Sequence, residues 1–118
     1  MNVVRVKDGA LFAEIAPGGF RILSAIDQTA RSYGLDLTIT SGTDGLHSGP
    51  NDPHHRGEAY DLRTHDMTSQ QKQDVLDKIM ALLGWDCFYG FLESPGTDNE
   101  HIHVQVKKGS AYPPDPTS

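Results

Sequence analysis

The sequence predicts an α+β fold, a small antiparallel sheet of four to five strands with two main helices packed on one face. Strand-like and helix-like segments are mixed along the chain without the regular strand–helix–strand alternation of parallel sheets. The length of 118 residues suits one hydrophobic core. Hydrophobic residues make up 36% and charged residues 22%, which is typical of a folded globular protein.

The first half of the chain predicts a hairpin, a helix and a strand. Residues 2–6 and 11–15 alternate apolar and polar positions around Asp8-Gly9, which is typical of a short hairpin. Apolar residues recur at helical spacing from Phe20 to Tyr33, and Gly34 provides a stop. Residues 35–40 have a strand pattern. The apolar stripe of the predicted helix consists of Phe20, Leu23, Ile26, Ala30 and Tyr33.

The second half predicts a long polar segment followed by three strands and a helix. Residues 41–53 are polar and rich in glycine and proline, and a long irregular segment in a compact domain is more often functional than idle. Strands are expected over 58–63, 87–92 and 101–107. The run Thr68-Ser69-Gln70-Gln71 is a capping box that opens a helix ending at Gly84. The apolar face of this helix consists of Val75, Ile79, Leu82 and Leu83.

Composition and termini limit the organisation and the partners. We expect a single domain over residues 1–110 and a proline-rich tail over 111–118. The net charge of −6 argues against a nucleic-acid partner, because phosphate binding depends on clustered Lys and Arg. No apolar run reaches the roughly 18 residues of a membrane span, and no signal peptide is visible at the N-terminus. We expect a monomer.

Most of the histidines lie in two tight clusters. One surrounds the run His54-His55-Arg56-Gly57-Glu58-Ala59-Tyr60-Asp61, with His47 upstream, and the other is His101-Ile102-His103. Because side chains alternate along a strand, His101 and His103 share one face and the apolar residues between them share the other. Imidazoles and a carboxylate from separate segments are the donors of a catalytic zinc ion. Solvent-facing histidines with no partner remain the alternative.

These motifs resemble a known superfamily, the zinc D-Ala-D-Ala peptidases. It includes D,D-carboxypeptidases, phage L-alanyl-D-glutamate endopeptidases and the amino-terminal domain of Hedgehog proteins. The resemblance covers residues 35–107 and rests on Ser41-Gly42-Thr43-Asp44-Gly45, His47-Ser48, the run 54–61 and His101-Ile102-His103-Val104. The residues of these motifs are most similar to those of the Hedgehog-like branch.

The resemblance implies zinc ligands and a catalytic base. His54, Asp61 and His103 match the ligands, and His101 would then lie beside the metal, where it could hold an oxyanion or orient the substrate. The general base of the family lies three residues before the last ligand, which is Glu100 here. Glu93 is the alternative base, because Hedgehog domains place their acid farther upstream in a Glu-Ser context.

One departure concerns substrate binding. The peptidases carry an Arg after their Ser-Gly, and this chain has Thr43 there, so His47, His101 or Arg56 would have to substitute. The resemblance implies a zinc metallopeptidase that hydrolyses D-amino-acid peptides of the bacterial cell wall, acting at the cell envelope or in phage lysis. A non-catalytic Hedgehog-like zinc module, with calcium near Asp44 and Asp52, is the alternative. A metal-free structural or phage-particle component is the third.

Overall fold

The computed structural model describes residues 3–10, 12, 14–42 and 57–107, which form five strands and two helices around one core. The elements in chain order are β1 (Val4–Val6), α1 (Pro17–Tyr33), β2 (Leu37–Ser41), β3 (Ala59–Arg63), α2 (Ser69–Leu83), β4 (Phe88–Glu93) and β5 (His101–Val106). The predicted α+β class with two main helices is confirmed. In the described part of the chain, no helix is long and apolar enough to cross a lipid bilayer. The predicted tail lies outside the described residues.

The five strands form one mixed sheet in the order β1-β2-β3-β5-β4. The β2–β3, β3–β5 and β4–β5 pairs are antiparallel, as predicted, but β1 pairs with β2 in parallel. The predicted N-terminal hairpin is not found among the described residues, because residues 12, 14 and 15 of its second strand are not in a strand, and residues 11 and 13 lie outside the described residues. Alternation of apolar and polar residues indicates a strand but does not select its neighbour, and Val4–Val6 pairs with a strand some thirty residues away.

Helix α1 begins at Pro17, three residues earlier than the pattern predicted, with proline in its first turn. Gly34 is the C-cap, as predicted. The buried face differs from the predicted stripe, because Phe20 and Tyr33 are 60% and 44% exposed. Small side chains let this helix lie close to the sheet. The buried residues of α1 are Gly18, Gly19, Ile22, Ala25, Ile26, Thr29 and Ala30.

Helix α2 begins as the sequence predicts. The hydroxyl of Thr68 accepts a hydrogen bond from the backbone N–H of Gln71, and the Gln71 side chain accepts one from the backbone N–H of Thr68. Gly84 is the C-cap. The Arg21 guanidinium of α1 donates to the carbonyl of Leu82 at 2.6 Å, which fixes the two helices together at the end of α2.

The two faces of the sheet have different roles. Both helices pack on one face, where their apolar side chains join Leu37 and Ile39, Tyr60 and Leu62, and alternate residues of β4 and β5 in one core. The residues between these positions point to the opposite face, which we call the site face. Because alternation is fixed by strand geometry, burial of Ile102 and Val104 places His101 and His103 on the site face.

Strand β3 starts at a close contact with the segment before α1. Gly57 has a φ of +68°, and a Cβ atom there would lie 2.0 Å from the Glu14 carbonyl oxygen. Its own carbonyl accepts from the backbone N–H of Ala16 at 3.2 Å and from the Tyr60 hydroxyl at 3.3 Å. A Cβ on Gly19 would meet the same carbonyl oxygen at 2.0 Å. Glycine at both positions allows the start of β3 to lie against α1.

Candidate metal centre

Nine side chains of β3, β5 and β4 form three cross-strand rows on the site face. Two antiparallel registers align them: Asp61 lies opposite His103, which in turn lies opposite Phe91. Residues in one row are neighbours across strands, with Cα atoms about 4.5–5.5 Å apart. The rows are Arg63–His101–Glu93, Asp61–His103–Phe91 and Ala59–Gln105–Tyr89.

Asp61, His101 and His103 bring one possible ligand atom each to within 4.8 Å of one another. The Asp61 Oδ1 atom lies 2.9 Å from His103 Nδ1 and 3.6 Å from His101 Nε2. Tetrahedral ligands at about 2.0–2.2 Å from a metal ion stand about 3.3–3.6 Å apart. The two distances from Asp61 are one below this range and one at its upper end, so the three groups are able to hold a metal ion after side-chain movements.

His103 is held by hydrogen bonds at both ring nitrogens. Nδ1 faces Asp61 Oδ1 at 2.9 Å, and Nε2 faces Gln105 Oε1 at 2.7 Å. The Gln105 amide nitrogen donates to the Val106 carbonyl, which orients the amide oxygen toward His103. A metal-bound histidine usually donates its other N–H to an oxygen acceptor. Gln105 supplies that acceptor for Nε2 and leaves Nδ1 for a metal ion.

The charges around His103 favour a cation. Burial opposes the charged imidazolium, but the hydrogen bonds to Asp61 and Gln105 and the negative charges of Asp61 and Glu93 outweigh it. The pKa of His103 is therefore raised above its ordinary value of 6.5. Asp61 and His103 are each only 8% exposed. Such a buried, acceptor-rich position stabilises a positive charge, whether a proton or a metal ion supplies it.

His101 has the same arrangement. Its Nδ1 donates to the Asn99 carbonyl at 2.6 Å, which leaves the Nε2 electron pair facing the cluster. That atom is buried and lies 2.6 Å from Glu93 Oε2, yet makes no well-directed hydrogen bond within the described residues. The carboxylates of Glu93 and Asp61 both lie on the Nε2 side of His101, so a positive charge at this nitrogen is stabilised by both. His101 therefore fits a ligand role as well as the role beside the metal that the sequence predicted.

Glu93 and Glu100, the two predicted bases, have different surroundings. The Glu93 side chain is 44% exposed and reaches His101 on the site face. The Glu100 carboxylate accepts from Thr64 Oγ1 at 2.7 Å and the Gly96 backbone N–H at 2.9 Å, and it pairs with Lys72 Nζ at 2.6 Å.

These contacts give Glu100 a structural role. The hydrogen bonds from Lys72, Gly96 and Thr64 outweigh burial and lower the pKa of Glu100 to about 2. A general base works best with a pKa near the working pH, and a strongly stabilised carboxylate is a poor proton acceptor. The structure thus brings Glu93 to the cluster and ties Glu100 to α2 and the β4–β5 turn.

Two aromatic rings flank the cluster. Phe91 lies over His103, with ring centroids 5.3 Å apart, and Tyr89 stacks on Phe91 at 5.8 Å. Phe91 lies on the site face, and 37% of it is exposed. The rings form an apolar wall beside the polar cluster, a common combination in ligand sites.

Several predicted site residues cannot be placed. His54, His47 and Arg56 lie outside the described residues, as do the calcium candidates Asp44 and Asp52. Sequence reasoning missed Gln105 and Arg63. Gln105 follows His103 by two positions and Arg63 follows Asp61 by two, so strand alternation places each on the site face.

No family model, curated protein sequence or solved structure matches this chain. The resemblance to zinc peptidases therefore rests on the motif residues themselves. The conclusion carried by the structure is that this α+β domain has an Asp-His-His group able to bind a metal ion on the sheet face opposite its helices.

Proposed function

We propose that the protein is a zinc metallopeptidase that hydrolyses short D-amino-acid peptides of the bacterial cell wall. One observation carries the proposal: Asp61, His101 and His103 converge on the site face, and an oxygen acceptor anchors the second nitrogen of each imidazole. The motif resemblance supplies the substrate class. Metal-ligating histidines almost always donate their outer N–H to such an acceptor, so these hydrogen bonds support the proposal.

The donor set favours zinc over calcium or magnesium. Imidazole nitrogens suit zinc and other late transition metals, whereas calcium and magnesium prefer sites made entirely of oxygen. Three protein ligands leave a fourth position for water, as in catalytic zinc sites. In this proposal Asp61 and His103 are two ligands, and His101 or His54 is the third.

Zinc, when bound, lowers the pKa of a bound water and polarises the scissile carbonyl. In our proposal Glu93 accepts the proton from the attacking water and later returns it to the leaving amine. Its exposed carboxylate is accessible to substrate, and its contact with His101 holds it at the edge of the cluster. Gln105 and Asn99 orient the two imidazoles. Phe91 excludes water from one side of His103.

A non-catalytic zinc module is the second candidate. The observation that favours it is the engagement of Glu100, because one of the two predicted bases is already held by three donors. Such a module would need the metal for stability or recognition and would have no hydrolytic activity.

Metal analysis and peptide cleavage test the proposal together. The purified chain should hold one zinc per molecule and cleave a D-Ala-D-Ala or L-Ala-D-Glu peptide, and a chelator should stop the cleavage. Asp61→Asn should lower zinc content, whereas His65→Ala, which removes an exposed imidazole outside the cluster, should not. Chelator-sensitive melting without cleavage would support the non-catalytic module. Absence of stoichiometric metal would refute both.

The third ligand can be assigned separately. Zinc content and affinity measured for His54→Ala and His101→Ala distinguish the two histidines. If His54 is the ligand, as the motif predicts, its loss should release zinc while His101→Ala retains it and loses activity. The reverse result would assign His101 as the ligand and exclude it from a substrate-binding role.

A further inference from the structure

A polar cavity of about 260 Å³ opens beside the candidate metal centre. Its wall includes Lys7, Arg63 and His65, and His101 belongs both to this wall and to the cluster. We propose that this cavity is a carboxylate-binding subsite in which Arg63 anchors a carboxylate group of the peptide substrate next to the metal centre. The inference rests on the proposed peptidase function for the identity of the substrate.

The surroundings of Arg63 are the main support for this proposal. It lies on the site face directly opposite His101, and its Nε atom is buried with no hydrogen-bond partner among the described residues. An unsatisfied buried donor costs free energy, so this N–H favours a ligand that offers an acceptor. A ligand that supplies two oxygens would satisfy the Nε–H and a neighbouring N–H of the guanidinium together.

The rest of the wall includes one further cationic side chain, Lys7, and the imidazole of His65. Lys7 and His65 are exposed, and neither makes a side-chain ion pair or hydrogen bond with another described residue. Two carboxylates also line the cavity, but Glu100 is neutralised by Lys72 and its hydrogen bonds. Asp98 and Lys7 are both exposed, so their charges are screened by solvent and largely offset each other. The buried Nε–H of Arg63, which has no hydrogen-bond partner among the described residues, is then the group of the wall that favours an anion.

The position relative to the cluster limits the kind of ligand. Because His101 belongs both to the wall of the cavity and to the cluster, a small ligand held by Arg63 in the cavity would lie beside the cluster. Cavities for drug-sized ligands are about 300–1,000 Å³, so this smaller volume suits a single residue. Both candidate substrates, D-Ala-D-Ala and L-Ala-D-Glu peptides, carry a carboxylate within one residue of the bond to be cut.

The guanidinium of Arg63 also supplies the kind of group that this chain lacks in its Ser-Gly motif. The resembling peptidases position the substrate with an Arg after their Ser-Gly, where this chain has Thr43. Arg63 comes from a different strand and approaches the cluster from the side of the cavity. It would be a substrate-positioning residue that acts through binding and takes no part in proton transfer.

Binding can be measured without relying on turnover. NMR titration of the full chain with acetate, and with acetamide as its neutral counterpart, should give saturable shifts at the Arg63 Nε–H and the His65 ring for acetate alone. The affinity of N-acetyl-D-Ala-D-Ala and of its C-terminal amide should then be compared in a Glu93→Gln background, where cleavage is slow. Loss of charge-assisted hydrogen bonds in Arg63→Met should weaken acid binding about tenfold or more, to the level of the amide.

Arg31→Met is the matched control, because it removes an exposed guanidinium from the end of α1 and should change the affinity less than about twofold. If Arg63→Met fails to fold, Lys7→Met and His65→Gln change exposed wall residues and should each weaken acid binding. Equal shifts with acetate and acetamide, or equal effects of Arg63→Met and Arg31→Met, would overturn the subsite. Carboxylate preference without any cleavage would instead reject the peptidase proposal, and cleavage without carboxylate preference would reject the subsite alone.

Discussion

Substitution of Gly57 by alanine should destabilise the protein strongly, because two separate penalties apply at this position. Its φ of +68° is strained for a residue with a side chain. The added Cβ would also lie 2.0 Å from the Glu14 carbonyl oxygen and 2.8 Å from the Ile15 Cα. Both neighbours are backbone atoms and cannot rotate away, so either β3 or the segment before α1 must shift.

The size of the effect follows from these two penalties. The left-handed conformation costs an L-residue about 1–2 kcal/mol. Displacing packed backbone adds a further cost, which should bring the total loss of unfolding free energy above about 3 kcal/mol, the upper end for most single substitutions. For a domain of this length, about 4 °C per kcal/mol gives a fall in Tm of about 12 °C or more.

Substitutions at two other glycines measure the conformational penalty and the contact penalty separately. Gly96 has a φ of +77° and no atom within 4 Å of its added Cβ in the described part of the chain, so Gly96→Ala should cost only the conformational 1–2 kcal/mol or so. Gly19 lies in a helix, but its Cβ would meet the Gly57 carbonyl oxygen at 2.0 Å, so Gly19→Ala carries only the contact penalty. Urea unfolding of the three variants measures each part. Equal losses for Gly57→Ala and Gly96→Ala would refute the argument from the backbone contact.

Three further predictions concern the base, a helix cap and the pH dependence of stability. Glu93→Gln should lower cleavage about 10²–10⁴-fold with zinc retained. Glu100→Gln should mainly lower Tm. If kcat/KM falls in Glu100→Gln and only Tm falls in Glu93→Gln, the base is Glu100. Thr68→Ala removes the capping box of α2 and should cost about 1 kcal/mol in urea unfolding, with Ser69→Ala as the neighbouring control; equal effects would show that the cap contributes nothing. Burial raises the pKa of Tyr60 to about 12. Because the folded-state pKa is raised above the unfolded value of about 10, this stabilisation, at most about 2–3 kcal/mol, is complete below pH 10 and is lost as pH rises toward 12. Tyr60→Phe should remove this part of the alkaline loss of stability, and an unchanged pH profile in that variant would contradict it.

Local signals in the sequence predicted the second half of the fold. The capping box located the start of α2, and Gly84 located its end. Alternation along β5 placed His101 and His103 on the face away from the core, where the structure finds them with Asp61. These features depend on neighbours within a few residues, so a single sequence contains the information.

The rest depends on contacts between distant segments. The partner of β1 is chosen by packing against α1 and β2, and the alternating pattern at the N-terminus is equally compatible with a hairpin. The proximity of Arg63, His101 and Glu93 follows from the registers of three strands, which no local pattern specifies. Our proposal of Glu93 as the base, in place of Glu100, likewise depends on the position of Lys72 on α2.

The strand order has a consequence for local opening of the domain. Asp61, His101 and His103 occupy β3 and β5, each with a strand on both sides, whereas Glu93 lies on the border strand β4. Border strands fray at lower free energy than interior ones, so their amide protons exchange with solvent sooner. Fraying of β4 would carry Glu93, the proposed proton acceptor, away while β3 and β5 keep their hydrogen-bonded ladder intact. On heating or in denaturant, the domain would then lose the proposed proton transfer first and would release the bound cation only at a higher temperature or denaturant concentration.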